Sequence, residues 1–282
     1  MEESQELVVT SDISNNSVAY LQDKATIDVQ ISTAKAFPRN IRRSVDNAIA
    51  TVTMDQATAA TCNYAVPRGG KVISGPSVHL AKVLAQCWGN MRIEAKVIGV
   101  EDKHITSQAV AFDLENNVAI KVEVKRSIMT KTGRMNDDMI VVTGNAGNSI
   151  ALRNAILSVV PKAVVDKVYN SAKELITGNV SDKTALIKKR TAVMTGFKDT
   201  YGVSEKEVLS AIGKAAIDHV TPEDLLVLIG IGQAIKDGDT TVEEAFKSSV
   251  DGKAKKEALK KQQAEAKKAE GAAGEQGTIE MP

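Results

Sequence analysis

Aromatic residues are scarce in this 282-residue sequence, which has one Trp, four Tyr and four Phe. So few rings count against a sheet that binds nucleic acid by stacking bases on aromatic side chains. The two cysteines, Cys62 and Cys87, form neither a CxxC pair nor a zinc-binding spacing, which favours a reducing, cytoplasmic location. No apolar run reaches the roughly 18–20 residues that cross a membrane. Residues 1–6 are acidic, unlike the basic start of a secretory signal.

Net charge is almost absent, since 36 Lys and Arg balance 35 Asp and Glu to +1. This average conceals four unlike segments. Residues 1–23 carry five acids and no base (net −5), and residues 24–181 carry 20 bases and 13 acids (net +7). Residues 182–250 carry 9 bases and 11 acids (net −2), and residues 251–282 carry 7 and 6 (net +1). We therefore predict an acidic N-terminal arm, a basic central domain, a third module and a charged flexible tail.

The basic central segment has the patterns of an α+β domain. Residues 63–66 and 71–74 flank Pro67-Arg68-Gly69-Gly70, which predicts a hairpin, and the helix that follows ends at Gly89. Apolar and polar residues then alternate with the period of half-buried strands. These strands are predicted at 91–97, 104–114 and 118–126. The fold expected here is an antiparallel β-meander packed with helices.

Two glycines, Gly144 and Gly147, follow a short apolar stretch at 139–143. We predict a strand over this stretch, a turn at 144–147 and a helix from about 148 to 160. A loop between a strand and a helix can hold a phosphate on the free amides of the helix N-terminus, and a plain flexible turn with a helix cap is the alternative. The loop lacks the motifs of nucleotide-binding loops, so nucleotide hydrolysis is not indicated.

Beyond residue 181 the sequence is helical throughout. Three hydroxyl residues each stand three positions before an acid, as in a capping box, and Gly213 and Gly238 suit helix ends. The three capping residues are Ser204, Thr221 and Thr240. We predict a small C-terminal helical bundle over 182–250, separate from the sheet domain.

Candidate catalytic groups are few. The three histidines are scattered, and neither cysteine has a histidine at motif spacing. Asp113, followed by Glu123 and Lys125, matches the way that one nuclease family places metal ligands and a lysine on a hairpin. Mixed charges are also common on solvated strands, so a metal-dependent nuclease is a minor alternative. The pair Asp137-Asp138 is interpreted as an exposed loop pair rather than a metal site.

Basic side chains cluster on the loops around the predicted sheet. Each alone is an ordinary solvated charge, but in a segment of net +7 they suit a track for a phosphate backbone. Contact with nucleic acid is then mainly electrostatic and tolerant of sequence. The predicted DNA-binding residues are Arg68, Lys71, Lys125, Arg126, Lys131, Arg134, Asn148, Ser149 and Arg153.

The order of these elements, together with several short sequence matches, makes approximately residues 60–170 similar to a known family. The matching segments are Asn63-Tyr64-Ala65-Val66-Pro67, Leu80-Ala81, Asp138-Met139, Ala151-Leu152-Arg153 and Val160-Pro161. With the three strands between them, they resemble the phage single-strand annealing recombinases of the RecT/Redβ superfamily.

The resemblance implies a non-catalytic protein that binds single-stranded DNA and anneals complementary strands without ATP, in homologous recombination and DNA repair. It implies a homo-oligomer, as a ring or helical filament, and no cofactor, with Mg²⁺ only as a counterion of the DNA. It further implies that residues 182–250 recruit a partner exonuclease or the host single-strand-binding protein, in the cytoplasm of a bacterium that a phage infects. A passive single-strand-binding accessory protein is the main alternative, and no membrane partner is expected.

The resemblance also assigns roles to single residues. Arg153 matches the family's helix arginine, and Arg68 and Lys71 lie where its hairpin approaches DNA. The strand-end region before that helix holds Lys125, Arg126, Lys131 and Arg134. The chain departs from the family at Asn148-Ser149, where the family helix often opens with lysines. Asn and Ser can bind phosphate but bring no charge.

Overall fold

The computed structural model describes residues 2–68, 71–130, 132–178 and 183–247. Helices combine with antiparallel sheets, which confirms the predicted α+β fold class. The helices are α1 (Glu2–Ala36), α2 (Ile41–Val52), α3 (Gln56–Thr61), α4 (Val78–Trp88), α5 (Asp137–Val159), α6 (Lys162–Thr177), α7 (Lys183–Tyr201), α8 (Glu205–Ala211) and α9 (Pro222–Lys236). The strands are β1 (Asn63–Arg68), β2 (Lys71–Pro76), β3 (Met91–Val100), β4 (His104–Asp113), β5 (Val118–Ser127), β6 (Met129–Thr130) and β7 (Gly133–Arg134). A 3₁₀ turn at Ile217–His219 and a π-helical segment at Glu243–Lys247 complete the set.

The backbone contacts divide the chain into two compact units. Unit 1 consists of Met1–Asp55 and Val78–Ala172, and unit 2 consists of Gln56–Ser77 and Lys173–Pro282. The predicted boundary near residue 181 therefore differs from the observed grouping, because the hairpin β1–β2 belongs with the C-terminal helices and not with the meander. The predicted tail at 251–282 lies outside the described residues.

Unit 1 is built on the three-stranded meander, in the order β3-β4-β5, as predicted. The central strand β4 pairs antiparallel with both neighbours, and its end residue Asp113 lies opposite Met91 on β3 and Val118 on β5. Helix α5 covers one face of this sheet, where Ala109 and Ala111 of β4 are buried. We call the opposite side of the meander the outer face.

Helix α5 runs unbroken from Asp137 to Val159, so the predicted strand at 139–143 and turn at 144–147 are wrong. The helix begins where the Asn136 side chain accepts a hydrogen bond from Met139 N at 2.9 Å. Two aspartates in its first turn favour this start, because negative charge is stabilised at a helix N-terminus.

The two glycines of α5 serve contact with the sheet. A Cβ at Gly144 would lie 2.9 Å from Ile105 Cδ1 and 3.1 Å from Val97 Cγ2, and a Cβ at Gly147 would lie 2.5 Å from Ser107 Oγ. Any larger residue would therefore force these side chains, or the helix itself, to move. Gly144 and Gly147 are three residues apart, a spacing that places both on one side of a helix.

Unit 2 packs α9 and α3 on the hairpin β1–β2, with α7 against α9. The hairpin itself is as predicted, and its strands extend two residues further than expected, so that Asn63 pairs with Pro76 at one end and Arg68 with Lys71 at the other. Its core is formed by large apolar side chains from the helices together with Ala65 of β1. The largest fully buried members are Phe246, Leu228, Ile231, Val208 and Val220. Burial of Ala65 among these side chains explains why the hairpin groups with the C-terminal helices.

Two of the three predicted capping boxes are confirmed, at Ser204 before α8 and at Thr221 before α9. The third is displaced by one residue from the predicted Thr240. Thr241 Oγ1 accepts from Glu244 N at 3.2 Å, and Glu244 Oε2 accepts from Thr241 N at 3.4 Å.

Candidate nucleic-acid interface

Three predicted basic residues lie around one end of the unit 1 sheet. Lys125 and Arg126 are near the end of β5, and Arg134 is on the short strand β7. The turn between β3 and β4 connects two of them, because Lys125 Nζ lies 3.3 Å from Glu101 Oε1 and Arg134 Nη1 donates to the Glu101 carbonyl at 3.1 Å. We call Lys125, Arg126 and Arg134 the strand-end cluster.

The strand-end cluster does not form one continuous face. Lys125 pairs with Thr106 on the outer face and is exposed, whereas Arg126 pairs with Ile105 on the face that α5 covers. The Cδ of Arg126 lies 3.8 Å from the place where a Gly147 Cβ would stand. Successive side chains of a strand point to opposite faces, so Lys125 and Arg126 leave the sheet on different sides.

The outer face carries more cations than acids. Its exposed lysines are Lys96 on β3 and Lys121 and Lys125 on β5. Phe112 is the one Phe, Tyr or Trp of β3, β4 and β5, and it is half-buried, while His104 at the start of β4 contributes an exposed imidazole ring. The surface can therefore attract a polyanion while it offers almost no ring on which bases could stack.

The acids of the outer face are partly engaged by their neighbours. Arg92 Nη2 lies 2.5 Å from Glu94 Oε1, and Gln108 Nε2 donates to Glu123 Oε1 at 3.0 Å. The ion pair offsets the charge of Glu94 with that of Arg92, whereas Glu123 keeps its charge because Gln108 is neutral. The three lysines therefore outnumber Glu123 on this face, and Lys125 also pairs with Glu101 of the adjoining turn.

Asn148, Ser149 and Arg153 all lie within α5. The predicted position of Asn148 and Ser149 at a helix N-terminus is wrong, because α5 begins at Asp137 and its interior amides bond to carbonyls one turn back. Asn148 Oδ1 is buried, which directs this amide oxygen away from solvent. Arg153 is half-buried, and its Nε donates to Asn154 Oδ1 at 3.2 Å.

Arg68 and Lys71 lie opposite each other at the tip of the hairpin β1–β2, in unit 2. Lys71 is exposed. The other described residues of the predicted site belong to unit 1, so the structure divides the site between the two units. Lys131 and the glycines of the hairpin turn, Gly69-Gly70, lie outside the described residues.

The suggested nuclease residues are not brought together. Asp113 pairs with Val118, whereas Glu123 lies five residues further along β5 and pairs with Gln108. Five residues of strand span about 17 Å, and an odd separation puts Asp113 and Glu123 on opposite faces of the sheet. One metal ion cannot be bound by both carboxylates in this register.

Asp113 instead belongs to a buried ion-pair network around Arg39, a residue that sequence reasoning missed. Arg39 Nη1 donates to Asp113 Oδ2 at 2.7 Å, and its Nη2 binds the other oxygen of the same carboxylate. The backbone N and Nε of Arg39 donate to Glu115 Oε2 at 2.9 and 3.1 Å. The guanidinium also lies 4.7 Å from the centre of the Trp88 ring. We call Arg39, Asp113, Glu115 and Trp88 the Arg39 clamp.

The clamp keeps its carboxylates ionised. Burial raises the pKa of Asp113, but hydrogen bonds from Asn116 and Arg39 outweigh it, so that the pKa is below its usual range. The pKa of Glu115 is lowered chiefly by the hydrogen bond from the Arg39 backbone and next by the one from Asn90. Arg39 and Asp113 are 74 residues apart, and no local pattern in the sequence could have paired them.

Comparisons with protein-family models, curated proteins and solved structures each found no match to this chain. In the described ranges no helix is long and apolar enough to cross a membrane. The same ranges contain no group of three His, Cys, Asp or Glu side chains arranged to hold a metal ion. The chemistry of the basic surfaces is therefore the guide to function.

Proposed function

We propose that this chain binds single-stranded DNA through its phosphate backbone and anneals complementary strands without ATP, as a non-catalytic protein of homologous recombination. The observation that carries the proposal is the exposed set of lysines on the outer face of the meander, next to Arg134 of the strand-end cluster. The three lysines lie on strands that pair antiparallel with β4, and the Lys125 side chain is 62% exposed. They are accessible to a ligand larger than a small molecule.

The chemistry of this surface suits annealing. Two single strands repel each other through their phosphates, so a protein that brings them together must supply positive charge. The bases must at the same time stay free to pair. Lysines on a sheet that holds no Tyr or Trp and one half-buried Phe meet both conditions, because they bind the backbone and do not cover the bases.

Binding of a labelled oligonucleotide at several salt concentrations tests the electrostatic part of the proposal. Each neutralised phosphate of a single strand releases about 0.7 of a counterion, so affinity should fall steeply with salt. The variant Lys121→Ala/Lys125→Ala should reduce the slope of log affinity against log salt by about 1.4, if each lysine contacts one phosphate.

Lys162→Ala is the matched control, because Lys162 is another highly exposed lysine of unit 1, on α6 rather than on the meander. This control should keep the wild-type slope. Equal changes in the two variants would show general electrostatic attraction and no specific role for the outer face.

Annealing is tested with two complementary oligonucleotides that carry a donor and an acceptor dye. The chain should accelerate pairing equally with ATP, without ATP and in the presence of a chelator. Tight binding without acceleration would favour a passive single-strand-binding protein. Magnesium-dependent cleavage that Glu123→Ala abolishes would favour the nuclease.

The proposal includes assembly into a homo-oligomeric ring or filament and recruitment of an exonuclease or a host single-strand-binding protein through residues 182–250. Mass measurements on the native protein, with and without an oligonucleotide, test the assembly. If the protein stays monomeric at every DNA concentration, the oligomeric part of the proposal is wrong. The salt experiment tests the binding surface independently of this result.

A further inference from the structure

The hairpin of unit 2 packs against α9, and the two elements approach each other closely at one glycine, Gly230. A Cβ at Gly230 would lie 2.8 Å from the backbone N of Ala65, 2.9 Å from Ala65 Cβ and 2.9 Å from Asn63 Nδ2. The nearest of these atoms belongs to the backbone of β1, which cannot turn aside as a flexible side chain could. A methyl group at position 230 would therefore have to move the strand itself.

A hydrogen bond and a buried side chain hold β1 in the same place. The Asn63 side chain is buried, and its Nδ2 donates to the carbonyl of Leu226, one turn before Gly230 on α9. Ala65 is fully buried in the core that Leu228 and Ile231 of α9 help to form. Contacts with α9 thus hold β1 from Asn63 to Ala65.

The position of the hairpin depends on this contact between β1 and α9. A two-stranded hairpin is marginally stable on its own in water and needs packing against another element. Arg68 is three residues beyond Ala65 along β1, about 10 Å at the rise of a strand, and it pairs with Lys71. A shift or tilt of β1 on α9 is therefore transmitted to the tip.

We propose that Gly230 is a positioning residue for DNA binding, which acts by setting the place of the hairpin tip and its two basic residues, Arg68 and Lys71. The inference rests on the proposed function, since it takes the tip to be a DNA contact. Its consequence is that the C-terminal helices are part of the DNA-binding machinery itself, in addition to any partner that they recruit.

The test compares Gly230→Ala with Gly232→Ala in the full chain. Gly232 is two positions further along α9, and a Cβ there would meet the Phe197 ring at 3.6 Å, an ordinary contact. Both substitutions raise helix propensity alike, so they differ mainly in the clash with β1. Hydrogen exchange of the hairpin amides should become faster in Gly230→Ala and should stay unchanged in Gly232→Ala.

DNA binding supplies the second readout. Arg68→Ala/Lys71→Ala should reduce the salt slope by about 1.4, the loss expected for two phosphate contacts. Gly230→Ala should reduce the slope in the wild-type background and add almost nothing in the Arg68→Ala/Lys71→Ala background, because it acts through those residues. Gly232→Ala should leave the slope unchanged in both.

Each failure has its own signature. An additive loss in Gly230→Ala on top of Arg68→Ala/Lys71→Ala would overturn the positioning role. Normal binding by Arg68→Ala/Lys71→Ala would show that the tip does not contact DNA, and it would leave the outer face of unit 1 as the binding surface. If the wild-type chain does not bind single-stranded DNA at all, the proposed function itself fails.

Circular dichroism and thermal melting establish whether Gly230→Ala folds. If it does not, Asn63→Ala takes its place, because it removes the hydrogen bond to α9 and adds no atom at the contact. Faster exchange of the hairpin amides and a non-additive loss of salt slope are expected from it as well. Unchanged exchange and unchanged slope in Asn63→Ala would then overturn the positioning role.

Discussion

Both units of this protein place a helix on an antiparallel sheet, but they hold it there differently. In unit 1, α5 meets the meander closely at two small residues, Gly144 and Gly147. In unit 2, α9 meets β1 closely at Gly230, and large apolar side chains such as Phe246 and Leu228 fill the surrounding core. The first contact brings two glycines against side chains of the sheet, and the second brings one glycine against the backbone of a strand.

The two units differ in what stabilises the contact between helix and sheet. Small side chains allow close approach but bury little apolar area, and stability gained by burial scales with that area. Unit 1 supplements this contact with large buried side chains elsewhere, such as Leu80, Leu84 and Ile156, and with the Arg39 clamp, in which one buried guanidinium binds two carboxylates. In unit 2 the large apolar side chains of the helices surround the contact, and Ala65 of the hairpin is buried among them.

Loss of the clamp should produce the largest effect. Arg39→Ala leaves the buried Asp113 carboxylate without its ionic partner, which typically lowers the free energy of unfolding by about 3–5 kcal/mol. Urea unfolding followed by the fluorescence of Trp88, the one tryptophan of the chain and a member of the clamp, measures the change in unit 1.

Asp166→Ala is the control for this substitution, because it breaks the exposed pair between Lys162 and Asp166 on α6. Such surface pairs contribute almost nothing to stability, so the unfolding midpoint should stay near that of the wild type. A wild-type midpoint for Arg39→Ala would show that the clamp adds little to the stability of unit 1.

A methyl group at the contact between α5 and the sheet should have an intermediate effect. In Gly147→Ala the new Cβ meets Ser107 Oγ at 2.5 Å, and overpacking of this kind costs about 1–3 kcal/mol. Adding Ser107→Ala removes the oxygen and leaves Ser107 Cβ at 3.2 Å, so part of the loss should return. Urea unfolding of the single and double variants measures both steps.

Gly196→Ala provides the matched control for a glycine inside a helix. Position 196 of α7 has nothing within 4 Å of an added Cβ, so alanine should stabilise the chain by about 0.5–1 kcal/mol. If Gly147→Ala were stabilising to the same extent, the helix and sheet of unit 1 would not be in the close contact described above.

The smallest effect concerns the reactivity of the two thiols, one in each unit. Burial raises the pKa of Cys62 in unit 2 to about 11, although a hydrogen bond with Thr61 acts in the opposite direction. At pH 8 roughly one part in a thousand of this thiol is then thiolate. A thiol reagent should modify the half-buried Cys87 of α4 first and Cys62 only slowly.

Gly230→Ala should speed the modification of Cys62 and leave Cys87 unchanged, because Cys62 directly precedes β1. Mass spectrometry of the labelled chain at several times follows both thiols in one experiment. Equal rates of Cys62 modification in the wild type and in Gly230→Ala would show that the contact between β1 and α9 does not control the access of reagent to Cys62.

Much of the local structure could be predicted from residue patterns. Alternation from Met91 to Val97 and from Val118 onward predicts strands, and the pairs Ser204 with Glu207 and Thr221 with Asp224 predict helix starts. These signals are reliable because alternation and capping depend on neighbours within a few residues. The Gly144 and Gly147 pattern misled, because a glycine that makes room for a neighbouring strand looks in sequence like a glycine of a turn.

The candidate site could be predicted only in part. Charge along the chain directs attention to Lys125 and Arg134, and the structure does place both beside the turn at Glu101. The same reasoning cannot separate Lys125 from Arg126, whose faces depend on the position of α5. It also cannot identify Arg39, because its partner Asp113 is 74 residues away.

The sequence by itself determined the α+β class, the hairpin, the meander and some helix boundaries, such as the starts of α8 and α9, since each depends on periodicity or on contacts within one turn. Only the tertiary structure decided that β1–β2 belongs with α9, that α5 is continuous and that Asp113 is held by Arg39. These outcomes depend on contacts between residues that are far apart in the chain. Ser107 and Gly144 in one unit are 37 positions apart, and Asn63 and Gly230 in the other are 167 positions apart. No local pattern records such contacts.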